Sequence, residues 1–207
     1  MELLKQLNAE NQSDMAQMRQ NAYERHIPVL MEETERLLDV IIKIKQPKRI
    51  LEIGTAIGFS GIVMLKASPM AHLNTIEESA ASIEAAKTNF EKYNVNKRVT
   101  IFEGDAREIV PMLTGSYDFI FMDGPKGQYL EFFPYLKSIL ESGGVLMCDN
   151  VLYKGLVQNI PEKRHKHITI ARNLKAFLEA ISNDNQLSTV TLQIGDGVSI
   201  SVNKVAI

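Results

Sequence analysis

The sequence lacks the residues on which disulfide-stapled, membrane-spanning or strongly basic proteins depend. One of its 207 residues is cysteine, Cys148, so an internal disulfide framework is excluded. That thiol lies in an apolar run and reads as a buried, inert side chain in a reducing compartment. No apolar stretch approaches the roughly 20 residues needed to span a bilayer. The N-terminus is polar and of mixed charge, without the apolar core of a signal peptide. Positive charge is not in excess: 23 Lys and Arg against 25 Asp and Glu leave a net charge of −2. That excludes nucleic-acid binding through the overall field, but not through a local basic patch. A soluble, cytoplasmic protein without membrane contact is expected. With 45% apolar residues a sizeable core is available, and 207 residues suit one α/β domain, read here as a helical arm (1–45) and a core (48–207).

Three apolar runs stop abruptly at glycine, carboxylate or carboxamide. They are Ile50-Leu51-Glu52-Ile53-Gly54-Thr55-Ala56-Ile57-Gly58, Phe119-Ile120-Phe121-Met122-Asp123-Gly124-Pro125-Lys126 and Gly143-Gly144-Val145-Leu146-Met147-Cys148-Asp149-Asn150. In an open parallel sheet, ligands bind just past the carboxyl ends of the strands, so three such ends describe one site. Around them, strand-like segments (50–53, 73–76, 99–102, 119–122, 145–148) alternate with helix-like ones (after Gly58, 80–93 with Ser79 as cap, 106–113, 129–140). This alternation predicts a parallel sheet with helices on both faces. Residues 188–194 and 198–202 alternate in polarity about Gly195-Asp196-Gly197 and predict a closing antiparallel hairpin, for seven strands in all. Residues 2–20 predict a surface helix or partner-contacting arm. Pro28 suits the first turn of a helix, and Leu30, Thr34, Leu37, Leu38 and Ile41 form an amphipathic stretch that ends before Pro47. Residues 150–168 read as a loop. From 154 to 175, Lys154, Lys163, Arg164, Lys166, Arg172 and Lys175 face a single acid, Glu162.

The glycine turn is not G-x-G-x-x-G, because Ala56 holds the second glycine position. The close pyrophosphate approach of a dinucleotide needs that glycine, whereas a cofactor without pyrophosphate does not. Glu77, at the end of the second strand, is placed to accept hydrogen bonds from ribose hydroxyls. Asp105-Ala106, after the third, offers an acid and an N–H to an adenine edge. Each has a plainer alternative as a turn or helix cap. Asp123, Asp149 and Asn150 supply hard oxygen donors that suit magnesium, whereas zinc would prefer thiolate or imidazole. Simple chain turns are the alternative there. Lys126 follows Asp123 by three residues, and an amine beside a dication gives up its proton readily enough to serve as a base. A solvated surface lysine is its alternative.

The wording Leu51-Glu52-Ile53-Gly54-Thr55-Ala56-Ile57-Gly58-Phe59-Ser60 resembles the class I S-adenosylmethionine (SAM)-dependent methyltransferases. Within them it is most similar to the metal-dependent O-methyltransferases typified by catechol and caffeoyl-coenzyme A enzymes. The resemblance spans about residues 28–203 and is most specific at 50–60, 117–129 and 143–155. It implies a Rossmann-like, seven-stranded, mostly parallel sheet with helices on both faces, and SAM and Mg2+ as cofactors. Glu52, Gly54, Gly58, Ser60, Glu77, Asp105, Ala106 and Asp123 are then the cofactor residues, and Asp123, Asp149 and Asn150 the metal ligands. In the Asp-x-x-Lys pattern Lys126 removes the proton of the acceptor hydroxyl, and the oxyanion attacks the sulfonium methyl in line. Ile27-Pro28, Asp149-Asn150-Val151-Leu152-Tyr153-Lys154-Gly155 and Arg172-Asn173 look most like the bacterial tRNA 5-hydroxyuridine methyltransferases. That resemblance implies a tRNA substrate, with Lys154, Lys163, Arg164, Lys166 and Arg172 as phosphate contacts. Small catechols or phenols are the alternative acceptors, although the tryptophan that gates some small-phenol enzymes is missing. The helical arm is expected to make a homodimer contact.

Overall fold

Runs of Ile, Leu, Val and Phe without polar alternation are satisfied as strands covered on both faces. The computed structural model, which describes residues 15–158, 160 and 166–205, gathers them into one sheet. In chain order the elements are α1 (Ala16–Glu24), α2 (Glu32–Lys45), β1 (Arg49–Ile53), α3 (Phe59–Ala67), β2 (His72–Glu77), α4 (Ala80–Lys92) and β3 (Val99–Glu103). They continue with α5 (Ala106–Ile109), β4 (Tyr117–Met122), α6 (Tyr129–Ile139), β5 (Leu140–Asp149), α7 (Lys166–Asn183), β6 (Leu187–Leu192) and β7 (Val198–Asn203). The strand order is β3-β2-β1-β4-β5-β7-β6. Strands β1 to β5 are parallel, and β7 runs antiparallel to both β5 and β6. The predicted α/β architecture with its C-terminal hairpin is therefore present.

Two apolar layers cover the sheet. On one face Leu38 and Ile42 of α2, Ile62 of α3 and Phe90 of α4 pack on Ile50, Phe119 and Met147. On the other, Phe132 and Leu136 of α6 and Phe177 and Ile181 of α7 pack on Leu51, Ile120 and Leu146. Phe177 meets Tyr129 and Phe133 edge-on, at 5.6 and 6.1 Å between ring centres.

The structure corrects several local readings. Pro28 does not start a helix: α2 begins at Glu32, and Met31 before it is extended. From residue 15 onward the arm is not a surface helix, because Met15, Met18 and Ala22 are buried in the core. Arg19 of α1 forms a buried ion pair with Glu35 of α2 and lies 5.4 Å over the Phe59 ring. Residues 2–14 of the predicted arm lie outside the described residues. The predicted helix at 106–113 divides into α5 and a 3-10 turn (Val110–Met112), where Pro111 lacks the N–H that an α-helix would use. Helix α7 occupies a stretch whose sequence reading emphasised charge rather than periodicity.

The strand order turns back between β1 and β4, so a crevice opens past their carboxyl ends. There the two chains nearly touch. Gly54 has φ +100, and a Cβ on it would lie 2.8 Å from the Asp123 carbonyl oxygen; one on Gly124 would lie 2.9 Å from Ile53 Cγ2. Gly54→Ala should therefore cost about 3 kcal/mol of unfolding free energy, from both the clash and the positive φ. Gly155→Ala, at φ +77 with nothing within 4 Å, should cost only about 1 kcal/mol. Urea denaturation of the two cofactor-free variants measures the difference, and equal costs would remove the case for a steric contact at Gly54.

Candidate active site

A cleft of about 500 Å³ lies beyond the carboxyl ends of β1 to β5, within the usual range for small-molecule sites. The strap of residues 28–31, between α1 and α2, lines it, as does the glycine turn after β1.

One half of the cleft is built around Glu77. Its Oε2 accepts the Ala56 N–H at 2.9 Å, and its Oε1 accepts the N–H groups of Glu78 and Ser79 at 3.1 and 2.9 Å. The carboxylate latches the turn, where Ala56 has φ +45, to the end of β2, and it keeps lone pairs toward the cavity. Gly54 and Ser60 also line the cleft, as do Asp105 and Ala106. Asp105 caps α5 by accepting the Arg107 N–H at 2.8 Å, and it pairs with the Arg107 guanidinium, which holds its carboxyl below the usual range.

Two of the expected cofactor residues stand elsewhere. Glu52 is 0% exposed and does not face the cavity. It accepts hydroxyl hydrogen bonds from Ser60 at 2.5 Å and Thr75 at 2.6 Å, and Thr75 is bonded in turn to Thr55 at 2.6 Å. Burial pushes its carboxyl up to about 7, against the pull of the two hydroxyls. Gly58 opens α3 at φ +81, where a Cβ would lie 2.9 Å from the Phe90 ring. Both residues support the turn from beneath.

Asp123, Lys126, Asp149 and Asn150 converge in the other half. Lys126 Nζ donates to Asp123 Oδ1 at 2.5 Å. Asp149 is 2% exposed, and its Oδ1 accepts the Asn150 N–H at 2.7 Å. Burial, and after it the charge of Asp123, raises the Asp149 carboxyl well above the usual carboxylate range. The buried Tyr129 hydroxyl lies 3.0 Å from the Met122 carbonyl and 3.1 Å from that of Asp149, tying the ends of β4 and β5 together. Among the described residues no group of three or more His, Cys, Asp or Glu could hold a metal. The donors here are two carboxylates and a carboxamide. Oxygen-only donors suit a hard dication, so the residues fit magnesium.

Lys154, Arg172 and Lys175 are exposed and do not line the cleft. Lys163 and Arg164 lie outside the described residues; Lys166 begins α7. Asn173 of α7 donates to the Gly127 carbonyl at 2.9 Å, fastening that helix to the turn that carries Lys126. The cleft also includes residues that the sequence reading left out: the 28–31 strap, Glu78, Arg107 and Gln128. Of these only Glu78 and Arg107 had a signal, as polar neighbours of Glu77 and Asp105.

The sequence pattern of the O-methyltransferase family matches residues 5–204. A catechol O-methyltransferase of Niastella koreensis is 29% identical over 178 residues, 82% of this chain and 79% of that protein. The caffeoyl-CoA O-methyltransferase 1 of Arabidopsis thaliana is 27% identical over 174 residues, 80% of this chain and 67% of that protein. Among solved structures, a Staphylococcus aureus protein provisionally named a caffeoyl-CoA O-methyltransferase matches with a TM-score of 0.88 at 31% identity, covering 98% of both chains. An O-methyltransferase from Bacillus cereus in complex with SAH matches at 0.81 and 25% identity, covering 92% of this chain and 90% of that one.

The burial of Glu52 has a consequence for stability. Its carboxyl titrates near 7 when folded, against an ordinary value of 4.5. The proton it retains favours the folded state fully below pH 4.5, and this contribution is lost as pH rises toward 7. The loss is on the order of 3 kcal/mol. Glu52→Gln cannot titrate, so its unfolding free energy relative to wild type should improve by that order between pH 4.5 and about pH 8. Urea denaturation across this range measures it, and a pH-independent difference would refute the buried titration.

Proposed function

The chain belongs to the O-methyltransferase family, and from that membership we propose that it methylates 5-hydroxyuridine at the wobble position of tRNA, with magnesium, to give 5-methoxyuridine. The chain is a SAM-dependent O-methyltransferase of the catechol and caffeoyl-CoA type. The acceptor is the finer step. The observation that carries it is the attachment of α7, with its exposed Arg172 and Lys175, to the Lys126 turn through Asn173. Exposed cations on a helix attached to that turn suit a polyanionic substrate whose phosphates are bound outside the cleft. A free catechol gains little from them. The acceptor chemistry remains that of the catechol enzymes, since the O5 hydroxyl of 5-hydroxyuridine neighbours the O4 carbonyl as one catechol oxygen neighbours the other.

In this reading Glu77 accepts the ribose hydroxyls of SAM, Gly54 and Ser60 border its methionine portion, and Asp105 and Ala106 meet the adenine. Asp123, Asp149 and Asn150 would hold magnesium, which when bound supplies Lewis acidity to an acceptor oxygen. Lys126, at the same corner, would receive the proton of the acceptor hydroxyl as a neutral amine released from its pairing with Asp123. The freed oxygen forms the new O–CH3 bond as the S–CH3 bond breaks, and the bonding pair stays on sulfur. The strap of residues 28–31 lines the same cleft. The same reading puts the protein in the cytoplasm, with the arm of residues 1–45 as a homodimer contact; among the described residues no helix is long and apolar enough to cross a membrane.

Nucleoside analysis of tRNA from a strain lacking the enzyme, after incubation with protein, SAM and magnesium, should show 5-hydroxyuridine converted to 5-methoxyuridine. Chelation with EDTA should stop the conversion, and Lys126→Ala should slow it by about a hundredfold or more. Conversion of a catechol run in parallel, with none of the tRNA, would establish the small-phenol alternative instead. Replacing Lys154, Arg172 and Lys175 together with alanine should weaken tRNA binding and lower its salt slope by up to about three, one for each lost phosphate contact. SAM affinity by calorimetry should not change. An unaltered salt slope would remove the rim from the argument.

A further inference from the structure

The reaction makes no use of Asp196, yet this residue holds the segment that leads away from the catalytic corner. It lies in the β6–β7 turn, and β7 pairs with β5 so that Val198 stands opposite Asp149. The carbonyls of Asp196 and Gly197 accept the N–H groups of Leu152 and Val151, both at 3.0 Å. The Asp196 carboxylate accepts the Lys154 N–H at 2.5 Å. Within this segment Asn150, Tyr153 and Lys154 have φ of +57, +48 and +56. Non-glycine residues adopt that left-handed region rarely, so contacts from outside the segment must hold them there. The turn is itself braced. A Cβ on Gly197 would collide with Leu152 at 2.3 Å, and one on Gly195 would lie 2.8 Å from Thr34 Oγ1 and 3.2 Å from Met31 Sδ, beneath the strap.

We propose that Asp196 is a positioning residue for the methyl acceptor. By holding the Lys154 N–H it keeps Tyr153 and Lys154 in their left-handed conformations and so fixes the path of the segment that leaves Asn150, which lines the cleft. The role rests on the cleft being the methyl-transfer site, and it does not depend on which acceptor enters.

The test compares Asp196→Ala, which removes the hydrogen-bond acceptor, with Asp196→Asn, which keeps an oxygen in its place. Each full-length variant is assayed with SAM and magnesium on tRNA from a strain lacking the enzyme and, in parallel, on catechol. SAH affinity is measured by calorimetry. Asp196→Ala should raise KM for the acceptor about tenfold with less than a threefold change in kcat, and Asp196→Asn should return KM to within about threefold of wild type. SAH affinity should stay within about twofold for both. An unchanged KM in Asp196→Ala overturns the proposal. So does a loss of SAH affinity as large as the rise in KM, which would mark a general loss of structure, and so does an Asp196→Asn variant no better than Asp196→Ala. If wild type methylates catechol and leaves tRNA untouched, the tRNA reading fails on its own. The same KM pattern on catechol would then uphold the role of Asp196.

Discussion

The site depends on the approach of two backbones at the carboxyl ends of β1 and β4. Side chains at Gly54 or Gly124 would push the strand ends apart, because each would meet the opposing chain at under 3 Å. With glycine at both positions the contact closes, and the Asp123 N–H reaches the Ile53 carbonyl at 3.0 Å. That contact aims the Asp123 side chain into the crevice rather than along the sheet. The Gly54 and Thr55 N–H groups meanwhile bond to the Ile76 carbonyl at 3.1 and 3.2 Å, so the same turn is drawn toward β2 and Glu77. One close approach therefore sets both halves of the cleft against each other, which is what transfer of a group between two bound molecules requires.

Charge is managed differently in the two halves. Beneath the cofactor half, Glu52 is buried with hydroxyl partners only, in a network that joins β1, β2 and α3. Such a carboxyl can keep its proton near neutrality and act as an internal tie without an ion pair. In the other half Asp123 is paired with the Lys126 ammonium, and burial together with the charge of Asp123 raises the carboxyl of Asp149. The first half manages its charge with hydroxyls, the second with an ion pair and a carboxyl inclined to keep its proton.

The strand ends could be read from the sequence because two signals coincide there: an apolar run long enough to be a buried strand, and an abrupt stop at residues with hydrogen-bonding chemistry. That is why Gly54, Glu77, Asp105, Asp123, Lys126, Asp149 and Asn150 were found, and all of them line the cleft. Glu52 and Gly58 belong to the same motif, but a motif cannot distinguish a residue that faces the ligand from one that supports the turn; that depends on the pleat and on Phe90, thirty-two residues beyond Gly58. Position in a strand offered a hint, since Glu52 precedes Ile53 within β1, where a charged side chain is enclosed by the layers on either face. The strap of residues 28–31 was misread for a related reason. Proline favours a helix's first turn and an extended connector equally, because both accept its φ, and only the position of the cleft separates them.

These differences in legibility follow the division of labour in the site. The motif residues from Gly54 to Asn150 stand on strand ends, where sheet register sets their positions and local sequence signals are strong. Other residues stand on the strap, the segment after Asn150 and the start of α7, whose ties to the frame include Asn173 to Gly127 and Asp196 to Lys154. Under the proposed function, changes in those connectors would alter what enters the cleft while leaving the strand ends in place. It also follows that identity of about 27–31% to catechol and caffeoyl-CoA enzymes carries the reaction further than it carries the substrate.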